Sequence, residues 1–222
     1  LHHDARRQRQ MCIRDRNPNN HALDGGPPSS EMEKECVEAL ANLFGYNDTY
    51  LGHLSSSGTI ANLEALWIAR CLHPNKGIAY SNEAHYTHSR MAQVLDMEAH
   101  TFKLEDKNSI AECLEALPAD SIGTLIVTMG TTGLGKVEPL SEILDWAQPR
   151  RIRIHIDAAY GGFFKTISDY LPGPNVHWDR MQEADSIVID PHKHGLQPYG
   201  CGCVLFKNPE VGVFYKHDSP YT

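Results

Sequence analysis

Lys193 stands in Asp190-Pro191-His192-Lys193-His194-Gly195, directly after the apolar run Ser186-Ile187-Val188-Ile189. An amine at the mouth of a buried strand, between two imidazoles, is placed for nucleophilic chemistry. Asp157 stands at a second strand end, in His155-Ile156-Asp157-Ala158-Ala159-Tyr160-Gly161-Gly162. A lysine and an acid so placed are what a pyridoxal phosphate site requires. The lysine forms the Schiff base, and the acid keeps the pyridine nitrogen protonated. Ser57-Gly58-Thr59 precedes a helix, where free N–H groups and small hydroxyls favour a phosphate. His85, in Asn82-Glu83-Ala84-His85-Tyr86, could stack on one face of the ring. Ala159 is small enough to let the ring lie against the strand end. Thr131 and Thr132, in Gly130-Thr131-Thr132-Gly133, could donate to the ring hydroxyl or to a substrate carboxylate. Each residue also has an ordinary reading. Lys193 can be a loop lysine, and Ser57 or Thr59 a helix cap. The histidines can be polar packing, and the threonines turn chemistry set by glycines.

These residues need a scaffold that brings strand ends together. Ser29 or Ser30 can cap a helix that Gly45 ends, with Met32, Cys36, Val37, Leu40, Leu43 and Phe44 as its core stripe. Leu51 to Thr59 reads as a turn. A helix follows through Ile60, Leu63, Leu66, Trp67 and Ile68 to about Leu72. Strands are expected at Gly77–Tyr80, His100–Leu104, Ile122–Met129, Ile152–Ile156, Ser186–Ile189 and Cys203–Phe206. Helices are expected at His85–Leu95, Ile110–Leu117, Pro139–Ala147 and Trp178–Ala184. This alternation predicts an α/β fold with a largely parallel sheet. In such sheets a ligand sits beyond the carboxyl ends of the strands, where the candidate residues all fall.

Composition narrows the function classes. The chain has 222 residues, 41% of them hydrophobic, enough for one sizeable core. No apolar stretch approaches the roughly 20 residues of a membrane span, so a soluble protein is expected. The net charge of −8 argues against nucleic acid as partner. Cys201 and Cys203 are one residue apart, which is neither a zinc nor a redox spacing, so buried reduced thiols in a cytoplasmic protein and no metal are expected. Leu1 to Arg16 carries five arginines and no apolar run. Arg6 to Asp15 matches the translation of a transposase-based sequencing adaptor. Residues 1–16 are therefore expected not to be native, 17–28 to be irregular, and 29–222 to form one large cofactor-binding domain. Both ends read as truncated.

The ordered set Ser57-Gly58-Thr59-Ile60-Ala61-Asn62, Asn82-Glu83-Ala84-His85-Tyr86, Gly130-Thr131-Thr132-Gly133, His155 to Gly162 and Asp190-Pro191-His192-Lys193 resembles the group II pyridoxal-phosphate-dependent amino-acid decarboxylases. The likeness covers roughly Gly25 to Thr222. It implies the three-layer fold type I architecture of aspartate aminotransferase and a homodimer with a shared site. It implies Lys193 as Schiff-base lysine, Asp157 on the pyridine nitrogen, and His85 and Ala159 on opposite ring faces. Ser57, Gly58 and Thr59 would bind phosphate, and Thr131 would lie near the ring oxygen. His192 precedes the lysine, and Tyr221 falls where a mobile-loop tyrosine returns a proton to the α-carbon. Asp190 departs from relatives that carry Asn there, close to the phosphate. Against that family, the C-terminal small domain and part of the N-terminal segment are expected to lie outside this sequence.

The implied reaction is decarboxylation of an L-amino acid to an amine and CO₂. Transamination and carbon–carbon lyase chemistry share the same lysine, and an inert fragment is the alternative outside catalysis.

Overall fold

The computed structural model describes residues 27–47, 49–104 and 110–216. The elements run α1 (Pro27–Phe44), β1 (Leu51–Ser55), α2 (Gly58–Leu72), β2 (Gly77–Ser81), α3 (Thr87–Val94), β3 (Ala99–Phe102), α4 (Ile110–Glu115), β4 (Ile122–Thr128), α5 (Leu140–Ala147), β5 (Arg153–Asp157), α6 (Val176–Asp179), β6 (Ser186–Ile189) and β7 (Gly202–Phe206). The seven strands form one sheet in the order β1-β7-β6-β5-β4-β2-β3. Strands β2 to β6 pair in parallel, and β7 runs antiparallel to both β6 and β1.

Strand β4 is buried along its whole length, which its continuous apolar run requires. Its side chains alternate between two cores. Leu125 and Val127 face a core shared with Val37 and Phe44 of α1, Leu114 of α4, and Leu140, Ile143 and Leu144 of α5. Ile126 faces the other side, with Leu66 of α2 and Ala92 of α3. Helices thus cover both faces of the sheet, giving three layers. Each fully buried Leu or Ile contributes roughly 1.5–3 kcal/mol, so the central strands are the most strongly fixed part of the molecule. The strand ends are level: Thr128 pairs with Asp157, and Asp157 with Val188. That register carries the ends of β4, β5 and β6 to one edge.

The expected elements occur, with shifts. The turn expected at Leu51–Thr59 contains edge strand β1, which is only half buried and carries Gly52 and His53 instead of an apolar run. Met32 and Cys36 are exposed, because α1 docks through the narrower stripe of Val37, Ala41 and Phe44. The helix expected at Trp178–Ala184 is α6 followed by a separate 3₁₀ turn at Met181–Glu183. Arg180 marks the break, with its guanidinium on the Ser141 carbonyl, Asp145 and Glu183. Cys203 is buried and Cys201 half buried, and both thiols are free. Among the described residues no helix is long and apolar enough to cross a membrane.

Candidate active site

A cleft opens at the carboxyl edge of the sheet. Gly58, Thr59 and Asn62 of α2 line it, with His85 and Thr87 after β2, and Thr128, Gly130 and Thr132 at the end of β4. Asp157, Ala159 and Tyr160 at the end of β5 join them, with Asp190 and Lys193 after β6. Gly161 has to be glycine for this edge to close, because a Cβ there would collide with the Met129 carbonyl.

Asp157 is 5% exposed. Its Oδ2 lies 2.8 Å from His88 Nε2, and its Oδ1 accepts from the Ala159 N–H at 3.1 Å. Burial by itself would raise this carboxyl. The hydrogen bond and charge of His88, with the Ala159 N–H, overcome that and hold it well below the usual carboxylate range. The result is a buried anion at a strand end.

Lys193 Nζ lies 3.0 Å from Asp190 Oδ2, and the Lys193 N–H donates to the Asp190 carbonyl at 2.9 Å. Asp190 is buried, and its Oδ1 has no partner among the described residues. Burial pushes its carboxyl up against the opposing pull of Lys193. A Cβ on Gly58 would collide with this carboxylate, so Asp190 sits tight against the start of α2.

His85 is half buried. Thr87 donates to its Nδ1 from both the backbone N–H, at 3.3 Å, and the hydroxyl, at 2.6 Å. Burial lowers the imidazole's pKa, so the ring is held neutral and in one orientation. Behind the cleft, His155 locks α2 to the sheet. Its Nε2 donates to Asn62 Oδ1 at 2.8 Å, and its Nδ1 takes the Ser186 hydroxyl at 2.8 Å. Asn62 in turn donates to the Gly58 carbonyl at 2.9 Å. Burial pushes His155 down to about 3, so it stays neutral. Glu138 is buried beneath the β4 end, accepting from the Ser81 hydroxyl and from the Thr128 N–H at 2.8 Å. Burial pushes its carboxyl up to about 7.

This donor set fits pyridoxal phosphate. A charged buried acid suits a protonated ring nitrogen, a lysine opens into the same cleft, and a neutral imidazole is presented beside them. Asp190 is the discordant part, an anion at the helix start that would meet the phosphate.

The model of the pyridoxal-dependent decarboxylase conserved domain matches residues 15–211. The chain belongs to that family. L-aspartate decarboxylase of Thermococcus kodakarensis is 32% identical over 197 residues, 87% of this chain and 50% of that protein. L-tyrosine/L-aspartate decarboxylase of Methanocaldococcus jannaschii is 31% identical over 209 residues, 86% of this chain and 52% of that protein. The chain spans about half the length of the curated relatives it matches. Two solved structures share the fold. The glutamate decarboxylase domain of a diaminobutyrate-pyruvate transaminase and L-2,4-diaminobutyrate decarboxylase from Vibrio parahaemolyticus superposes with a TM-score of 0.80 at 21% identity, covering 95% of this chain and 50% of that one. Oryza sativa TDC, solved with PLP and tryptamine, gives 0.81 at 20% identity, covering 96% and 49%.

Of the residues the sequence singles out, Gly58, Thr59, His85, Asp157, Ala159, Asp190 and Lys193 share the cleft. Ser57 caps α2, its hydroxyl accepting from the Ile60 N–H at 3.4 Å. Thr131 does not line the cleft. It is buried in the turn, where its hydroxyl accepts from the Lys136 N–H at 3.1 Å, and Thr132 faces the opening in its place. His192 also stays outside the lining, with Nδ1 donating to the Cys201 carbonyl at 2.7 Å. Tyr221 lies outside the described residues. The sequence reading assigned no role to Asn62, Thr87, His88, Thr128, Glu138 or Tyr160. His88 follows His85 by three residues, but His85 stands in the loop before α3 and His88 in its first turn, so the spacing alone did not pair them. Its partner on β5 is 69 residues away in the chain, and spacing does not reveal that.

Proposed function

We propose that the protein is a pyridoxal-phosphate-dependent decarboxylase that converts an L-amino acid to its amine and CO₂. The observation that carries this reading is the meeting of Lys193, charged Asp157 and neutral His85 in one cleft of a chain that belongs to the decarboxylase family. Lys193 supplies the amine that holds the cofactor's carbonyl. Asp157 keeps a proton on the ring nitrogen, and His85 and Ala159 flank the ring. Ser57, Gly58 and Thr59 offer hydroxyl and N–H donors to the phosphate at the α2 start. When bound, the cofactor supplies an electron-accepting ring for the pair left on the α-carbon as CO₂ departs. Tyr221 returns the proton to that carbon; His192, with Nδ1 committed to a backbone carbonyl, is the weaker donor. Relatives named for aspartate and tyrosine make acidic and aromatic amino acids the first substrates to try.

A homodimer fits the exposed apolar surface beside the cleft. Leu196 is 89% and Tyr199 96% exposed, three and six residues after Lys193. Leu196 also holds a left-handed backbone, φ 57°, which costs roughly 1–2 kcal/mol for a non-glycine residue. A cytoplasmic location fits the five free cysteines among the described residues.

The test is product analysis with the cofactor and L-aspartate, L-tyrosine or L-glutamate. Release of CO₂ with the matching amine is the expected result. A keto acid without CO₂ would assign the site to transamination instead.

A further inference from the structure

We infer that His88 is a positioning residue for the cofactor's ring nitrogen, acting through Asp157. This rests on the pyridoxal phosphate reading above and adds a residue to it.

His88 is fully buried, packed 6.0 Å centroid to centroid from Tyr80 and 6.4 Å from His155. An apolar side chain would fill such a place without carrying polar atoms out of water. His88 Nδ1 is buried with no partner among the described residues. Its Nε2 makes a 2.8 Å hydrogen bond to Asp157 Oδ2. That bond is the polar contact that accounts for a histidine here, and it ends on the acid of the cleft.

Asp157 is the group that changes if the bond is lost. A carboxylate has about four acceptor positions. The Ala159 N–H takes one on Oδ1, and His88 takes one on Oδ2. With one donor on each oxygen, the carboxylate plane cannot turn, and the remaining lone pairs keep a fixed aim. Without His88, burial acts on the carboxyl with less opposition. A carboxyl that ionises less readily holds a proton on a ring nitrogen less firmly. His85 presents a flat face from the loop just before α3, while His88 reaches the β5 end from the first turn of α3. One short segment therefore supplies both a ring-stacking imidazole and the support of the acid beneath it.

The test uses the intact protein, pyridoxal phosphate labelled with ¹⁵N in the ring, and the variants His88→Leu and His88→Gln. His88→Leu removes the donor, while His88→Gln keeps an N–H near the Nε2 position. The account expects His88→Leu to weaken cofactor binding roughly tenfold and to move the ring ¹⁵N resonance toward the unprotonated position. His88→Gln should restore most of both. A purely packing role predicts a lower melting temperature for both variants with the resonance unmoved, and that result overturns the proposal. If His88→Leu does not fold, wild-type protein labelled with [¹⁵N]histidine decides. The His88 Nε2 signal should shift on cofactor addition, and an unmoved signal overturns the inference. Wild type that takes up no cofactor overturns the underlying reading. Wild type that binds it, with His88→Leu unchanged in affinity and resonance, overturns the role of His88 alone.

Discussion

Asp190 sets an anion where the proposed site expects a phosphate. Its carboxylate is buried against Gly58 at the start of α2, pairs with Lys193 through one oxygen and leaves the other unpartnered among the described residues. Replacing it with the isosteric amide removes the repulsion and supplies an N–H donor. Asp190→Asn is expected to tighten pyridoxal phosphate binding several-fold, measured by equilibrium titration at fixed ionic strength. Unchanged or weaker binding would mean that the carboxylate is turned away from the phosphate or is needed to place Lys193. The residues that end strands were readable from sequence because their neighbours are diagnostic: an apolar run, then Asp157 or Lys193, then small residues. Thr131 and Thr132 were not separable that way. Which of two adjacent threonines faces a cleft depends on the turn, and the Lys136 N–H draws Thr131 inward. His88 and Asn62 were not legible because their partners, Asp157 and His155, are brought to them by the sheet.

The elements carry the site through two buried polar ties. Asn62 links α2 to β5 through His155, and it also takes the Gly58 carbonyl. Asn62→Ala would leave the His155 Nε2–H buried without an acceptor, at a cost of about 1–3 kcal/mol. A drop in melting temperature together with weaker cofactor binding is the expected outcome. A drop in stability alone would separate the tie from the site. Glu138 ties the segment after β4 to Thr128 and to Ser81 of β2. Its folded pKa, about 7, is raised from 4.5. The stability it contributes is therefore fully present below about 4.5 and lost as pH rises through 7, a change on the order of 3 kcal/mol. Denaturant unfolding of wild type against Glu138→Gln from pH 5 to 8 should show that decline in wild type and a flatter profile in the variant. Parallel profiles would show that the carboxyl titrates normally. The helices and strands β2 to β7 were legible in outline, since strand runs alternate with amphipathic helices. Strand β1 was not. It lies at the sheet edge with half-buried side chains, so no apolar run announced it.

The described residues form one sheet between two helical layers, which delivers residues from five chain segments to one edge, with exposed apolar groups beside that edge. If those groups meet a second copy, Leu196→Glu combined with Tyr199→Glu should convert a dimer to a monomer by light scattering and weaken cofactor binding with it. A wild-type monomer with full cofactor binding would remove the dimer from the account. The parallel-sheet architecture and the place of the cleft followed from the sequence pattern, while the shape of the exposed surface did not, because it depends on backbone turns such as the left-handed one at Leu196. Lys193 is proposed as the amine that captures pyridoxal phosphate. Reducing the cofactor-loaded protein with borohydride and mapping its peptides by mass spectrometry tests this directly. The account predicts one pyridoxyl adduct, on Lys193, absent from Lys193→Ala. An unmodified Lys193, or an equal yield of adduct in the variant, would contradict it.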